Sequence, residues 1–149
     1  GFDAVIPTVK SNSLEGMGIF SEEKLQIEAD AGDVLLYKLL MGELKDGAVE
    51  TSDGTKVISS CGKPRVEINE NGEKINISVK VKSDGKKEKL DALSREAEKF
   101  LSNSYKNGCD VIGIGRRLKK NFLTQKKWME YNWRKKLIRC SFSVNIYTK

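Results

Sequence analysis

Before its closing Thr-Lys, the chain ends in ten residues that alternate strictly. Ile138, Cys140, Phe142, Val144 and Ile146 fall on one side, and Arg139, Ser141, Ser143, Asn145 and Tyr147 on the other. A period of two predicts a β-strand over Ile138–Ile146 with one dry face and one wet face. Such a strand is not stable alone. The remainder of the chain must supply neighbours that hydrogen-bond it and helices that cover its apolar side. At 149 residues the chain is read as one domain, 1–149, long enough to bury a core without disulfide staples.

The partners are visible upstream. Asn71-Gly72 predicts a two-residue type I′ turn that pairs Ile68 with Ile75 and Val66 with Ile77. The second strand continues through Val79 and Val81, so turn chemistry and alternation select one register. After Ser83-Asp84-Gly85, Lys86–Asn107 carries an apolar stripe of Leu90, Leu93, Ala97, Phe100, Leu101 and Tyr105, which predicts a long amphipathic helix stopped by Gly108. Nearer the N-terminus, Phe2–Val9 with Pro7 inside it suits an edge strand, and Ser11-Asn12-Ser13 a turn. Leu14–Phe20 and Lys24–Glu28 then form a hairpin around Ser21-Glu22-Glu23, with a bulge or close contact at Gly16 and Gly18. Asp33 is placed as the cap of a short, mostly buried helix that ends at Gly42. Asp53-Gly54 joins Ala48–Thr51 to Thr55–Ser59. The expected fold is therefore α+β. An antiparallel or mixed sheet holds the Leu14–Glu28 hairpin, the Val66–Val81 hairpin and the last strand, with the long helix and shorter helices on one face. Leu90, Leu93, Phe100 and Leu101 are expected against Ile75, Ile77, Val79, Phe142 and Val144.

Composition removes much chemistry. There is no histidine, the commonest general base and metal ligand. Cys61, Cys109 and Cys140 are too scattered for a metal knuckle, and their odd number leaves at least one free thiol. Cys140, on the dry side of the last strand, is read as a small buried hydrophobe. Glu22, Glu23, Glu67, Glu70 and Glu73 lie in polar turns with nothing apolar to split their pKa values. Gly113-Ile114-Gly115-Arg116-Arg117 has part of a phosphate-cradling pattern, but a dinucleotide fingerprint needs a glycine where Leu118 stands. Turning or close packing explains these glycines better. No catalytic residue, cofactor site or metal site is read, and the chain is expected not to be an enzyme.

Charge is concentrated. Residues 116–139 hold ten Lys or Arg and one acid, Glu130, a net +9 that leaves −3 on the rest of a chain whose total is +6. With Phe122, Trp128, Tyr131 and Trp133 among them, these cations have the composition of a nucleic-acid surface. However, on one helix Trp128 and Trp133 would lie about 140° apart and could not form one stacking platform. Core or interface packing suits them better. Asp110 can cap the helical segment that carries the run. Arg116, Arg117, Lys119, Lys120, Lys126 and Lys127 are the candidate patch for a partner or a membrane; a solvated helix face is the plain alternative, and a nucleic-acid-binding module the other functional class. No apolar run reaches the roughly 20 residues of a membrane span, Val34–Met41 being interrupted by Lys38. A start at Gly1-Phe2-Asp3, without Met or an export signal, suits an excised fragment or a processed chain.

Several stretches resemble one family in order. Leu14-Glu15-Gly16-Met17-Gly18-Ile19-Phe20 with Lys24-Leu25 and the Leu-rich helix to Gly42 is similar to the opening of the C-terminal domain of the spore germination Ger(x)C proteins, the C subunits of germinant receptors. Asp110-Val111-Ile112-Gly113-Ile114-Gly115 resembles their Asp-x-x-Gly-x-Gly motif, and Trp128, Trp133 and the last strand fall where the family has them. The chain departs from the pattern at Gly18, where Ala is more usual, and at Gly32-Asp33. The resemblance implies a non-enzymatic subunit with no catalytic residues. It implies membrane-embedded A- and B-type subunits or related spore proteins as partners, and a full-length lipoprotein anchored on the outer face of the inner spore membrane. This chain would be its last domain, the N-terminal domains and anchor lying outside it.

Overall fold

The computed structural model describes residues 3–10, 13–21, 24–44, 49–50, 56–58, 60–69, 73–83 and 85–148. The Ser11-Asn12 and Glu22-Glu23 turns, the Asp53-Gly54 loop and the Asn71-Gly72 loop lie outside them, as does Phe2.

Strand β8 (Lys74–Lys82) is the axis of the fold. Its apolar residues Ile75, Ile77, Val79 and Val81 are all buried, the alternation that a half-covered strand requires. Along one margin it pairs antiparallel with β7 (Arg65–Ile68) and then with β6 (Ser60–Cys61). The register with β7 sets Val66 against Ile77 and Ile68 against Ile75, as the hairpin reading requires. Asn69 secures the hairpin end, its Oδ1 accepting from the Glu73 and Lys74 amides at 3.0 and 3.1 Å. Along the other margin β8 pairs in parallel with β9 (Ser141–Tyr147), placing Ile75, Ile77 and Val79 beside Phe142, Val144 and Ile146. Parallel neighbours need a long crossover. Helix α2 (Lys87–Lys106) is the longest element of that connection.

The stripe of α2, Leu90, Leu93, Ala97, Phe100, Leu101 and Tyr105, is wholly buried and shares one core with β8 and β9. Phe142 keeps partial exposure and packs its ring 4.7 Å from that of Tyr105. Two side chains of α2 also reach the backbone of β9. The Val144 amide donates to Glu98 Oε1 at 2.9 Å, and the Ile146 amide to Ser94 Oγ at 3.1 Å. Helix α2 ends as Gly108 turns to φ +78°, with Gly108 and Cys109 amides bonded back to Tyr105 and Ser104 carbonyls.

The terminal strand begins three residues later than its alternation suggests. Ile138 caps a preceding helix and is 49% exposed, and residues 138–140 turn before Ser141 joins β8 through the Glu73 carbonyl at 2.8 Å. Leu137, the last residue of that helix, is buried where Ile138 is not. Cys140 consequently lies ahead of the strand, half-buried, its Sγ 3.7 Å from the Lys136 carbonyl. All three cysteines are free thiols.

The Leu14–Glu28 hairpin is not part of the β8 sheet. Strands β2 (Ser13–Ser21) and β3 (Lys24–Asp30) pair with β1 (Asp3–Lys10) in a separate three-stranded antiparallel sheet with β2 central. One register shift falls at Thr8/Val9, where Thr8 faces Gly16 and Val9 faces Leu14, so this irregularity adjoins Gly16 as expected; the other falls at Ile19/Phe20, just past Gly18. Alternation marks a strand's faces but not its neighbours, so the sequence could not separate the two sheets. Helix α1 (Ala31–Met41) begins two residues before Asp33, which sits in its first turn. It ends at Gly42, φ +72°, where the Gly42 and Glu43 amides bond the Leu39 and Lys38 carbonyls. Val34, Leu36, Leu39 and Leu40 are buried, and a small ribbon of β4 (Val49–Glu50) and β5 (Lys56–Ile58) adds Ile58 to the same core.

Candidate docking surface

Between α2 and β9 the chain is held by one carboxylate. Asp110 Oδ1 accepts the Tyr105 hydroxyl and the Ile114 amide, the latter at 2.7 Å. Its Oδ2 accepts the Gly115 amide at 2.8 Å and the Trp133 indole N–H at 3.3 Å. The two amides open α3 (Ile114–Lys119), so Asp110 satisfies donors at a helix start that would otherwise lack partners. Burial first, and then the Asp110 charge, push the Tyr105 hydroxyl well above its ordinary pKa, which keeps it a donor. The glycines serve this hub in two ways. Gly113 turns the chain at φ +73° with open space around it, whereas a Cβ on Gly115 would stand 2.6 Å from Trp133 Nε1 and 2.9 Å from Asp110 Oδ2. They are turn and close-packing residues.

The basic run is not one helix. Helix α4 (Gln125–Tyr131) and helix α5 (Trp133–Leu137) are separated by Asn132, which adopts φ +54°. That break sends the two tryptophans to different work. Trp133 is 8% exposed and bound to Asp110. Trp128 stacks on Tyr131 at 6.0 Å and 18°, with the Phe122 ring edge-on to Trp128 at 5.4 Å and tilted 5.0 Å from Tyr131. Lys136 Nζ sits 3.6 Å from the centroid of Tyr131. The rings are thus committed to one another.

Helix α3 buries Ile114, Gly115 and Leu118 and turns Arg116, Arg117 and Lys119 outward, as about 100° per residue dictates. Lys120 follows as its C-cap, and Lys126 and Lys127 occupy the first turn of α4. Arg116, Arg117, Lys119, Lys120, Lys126 and Lys127 are therefore all exposed and carried by two consecutive short helices; among the described residues none of them is in an ion pair. Helix α4 has no acid in its first turn, so Lys126 and Lys127 sit where the exposed N–H groups disfavour cations. It has no fully buried residue either, although Thr124 caps it by accepting the Lys127 amide at 3.2 Å. Leu123, just ahead of the helix, is 90% exposed, and Met129, within it, 70%. The sequence reading passed over both, because an isolated Leu or Met in a basic stretch carries no periodic signal. No three His, Cys, Asp or Glu side chains gather among the described residues, and no helix there is long and apolar enough to cross a membrane.

Comparison with known proteins places this architecture. The family described as spore germination B3/GerAC like, C-terminal, matches residues 15–94 and 86–149, nearly the whole chain. The chain belongs to this family. A crystal structure of the GerBC protein superposes on this GerAC-like domain with a TM-score of 0.75 at 19% identity, covering all of this chain and 56% of that one. At that identity the likeness is one of fold: α+β, with the mixed four-stranded sheet described above. No curated protein matches the sequence.

Proposed function

We propose that this GerAC-like chain is the last domain of a germinant-receptor C subunit and serves there as a non-enzymatic docking domain. The unneutralised cationic face of α3 and α4, set on a frame locked by Asp110, is the observation that supports it. In the full-length lipoprotein the domain works on the outer face of the inner spore membrane beside the membrane-embedded A- and B-type subunits, with the N-terminal domains and lipid anchor supplied by the rest of the protein. No residue in it is assigned chemistry. The nucleic-acid reading loses support because Phe122, Trp128 and Tyr131 pack on each other and offer no open platform for bases.

The test is genetic and biochemical. Full-length receptor carrying Arg116→Glu, Arg117→Glu, Lys126→Glu and Lys127→Glu should germinate slowly in response to its germinant, and its C subunit should recover less of the A and B subunits from detergent extracts. Normal germination with normal recovery would refute the docking role. Titration with oligonucleotides at two salt concentrations checks the other class, since binding with a steep fall in log K against log salt would favour nucleic acid.

A further inference from the structure

We infer that the α4 region is an insertion element for an anionic lipid surface. Leu123 and Met129 enter the boundary between head groups and acyl chains while the flanking cations meet lipid phosphates. This names the occupant of the docking face and rests on the proposal above only for the choice of face.

Four observations carry it. First, Leu123 and Met129 are the two most exposed large apolar side chains over residues 60–69, 73–83 and 85–148. Second, Leu123 precedes the Thr124 cap by one residue, where an apolar side chain ordinarily folds back onto the fourth helical position, here Trp128. Phe122 packs on Trp128 instead, and Leu123 projects into solvent. Third, Lys126 and Lys127 are kept at the dipole-unfavourable start of α4. Local conflicts of this kind collect at working surfaces. Fourth, the half-buried Trp128 and Tyr131 lie at the base of the same element. Amphipathic rings behind a basic, leucine-tipped protrusion are the arrangement found at membrane interfaces.

Lipid suits this surface better than an acidic protein. Protein interfaces enrich arginine and deplete lysine at their centres, whereas four of these six cations are lysines. Leu123 and Met129 are also isolated tips among charges, which a fluid head-group layer accommodates without a shaped pocket. Glu130 is the single acid of the segment, too little to offset the field of its neighbours.

The experiment is co-sedimentation of the 149-residue chain with phosphatidylcholine vesicles, with and without phosphatidylglycerol, at low and high salt. Binding is expected only to the mixed vesicles, and salt should weaken it as the Debye length shortens. Lys126→Gln with Lys127→Gln should lower the partition constant about 25-fold. Leu123→Ser with Met129→Ser, at unchanged charge, should lower it about tenfold or more. Both pairs should keep the wild-type urea midpoint, since the side chains are exposed. Absence of binding to mixed vesicles at low salt overturns the inference. So does binding that Leu123→Ser with Met129→Ser leaves intact, which is Coulombic adsorption without insertion. If detergent-solubilised A and B subunits are recovered normally while vesicles are ignored, the lipid assignment falls and the docking domain stands.

Discussion

Replacing Gly115 with alanine tests the hub that carries the cationic helix α3. The added Cβ would meet Trp133 Nε1 at 2.6 Å, Trp133 Cδ1 at 2.7 Å and Asp110 Oδ2 at 2.9 Å. None of the three can simply swing aside. The indole is 8% exposed, and the carboxylate already holds the Tyr105 hydroxyl and two amides. Overpacking of this kind costs about 1–3 kcal/mol. Displacing the indole also removes a hydrogen bond to a charged acceptor, about 1.5–3 kcal/mol more. Alanine's better helix propensity returns about 1 kcal/mol. The expected net loss is about 1.5–5 kcal/mol. Urea unfolding followed by tryptophan fluorescence measures it, with the slope compared to wild type so that a change in midpoint reports stability. Trp133 emission should shift even in the folded baseline, because its N–H partner is lost. Gly113→Asn is the control: Gly113 has open space around it and needs only a positive φ, which asparagine tolerates. A loss below about 0.5 kcal/mol for Gly115→Ala, the scale of ordinary surface changes, would refute the close-packing argument.

Other expectations follow from the same core. Ser94→Ala leaves the Ile146 amide without its acceptor in a buried position and should cost about 1–3 kcal/mol, with faster hydrogen exchange at that amide; unchanged exchange would count against the contact. Phe100→Ala should cost about 3–5 kcal/mol, and Phe142→Ala less, since Phe142 is only partly buried. Equal losses would place the two rings in equivalent surroundings, contrary to the structure. Burial, then Asp110 and Glu73, raise the Cys140 thiol from its ordinary 9.0 to about 12, and Tyr105 is raised as well. Both groups hold their protons in the folded state at pH values where the unfolded chain ionises. Stability should therefore be level below about pH 9 and fall as pH climbs toward 12, read by urea midpoints across that range. A stability that rises with pH over that interval would show the thiol and phenol to be less enclosed.

The legible parts of this fold were those where two local signals agreed. Asn71-Gly72 and the alternation of residues 66–81 fixed the β7–β8 register, and the stripe of α2 with Gly108 gave that helix almost to the residue. Alternation alone overran at the last strand, because Ile138 and Cys140 fit the pattern although the chain is still leaving a helix there. The division into two sheets rests on long-range pairing, which no short window contains. The break at Asn132 was hidden because asparagine is unremarkable in a basic run, so both tryptophans were placed on one helix. Asp110 was read as a cap. Its additional partners, Tyr105 on one side and Trp133 on the other, lie on separate helices and meet only in the folded chain.

The bonds from Glu98 and Ser94 to β9 have a consequence beyond stability. An outermost strand normally leaves its amides free to recruit a further strand, from another copy or from a foreign peptide. Here the amides of Val144 and Ile146 are already claimed by the helix lying alongside. An incoming strand would have to evict a carboxylate and a hydroxyl before it could pair. That margin is closed to templated growth at the two amides an added strand would reach for.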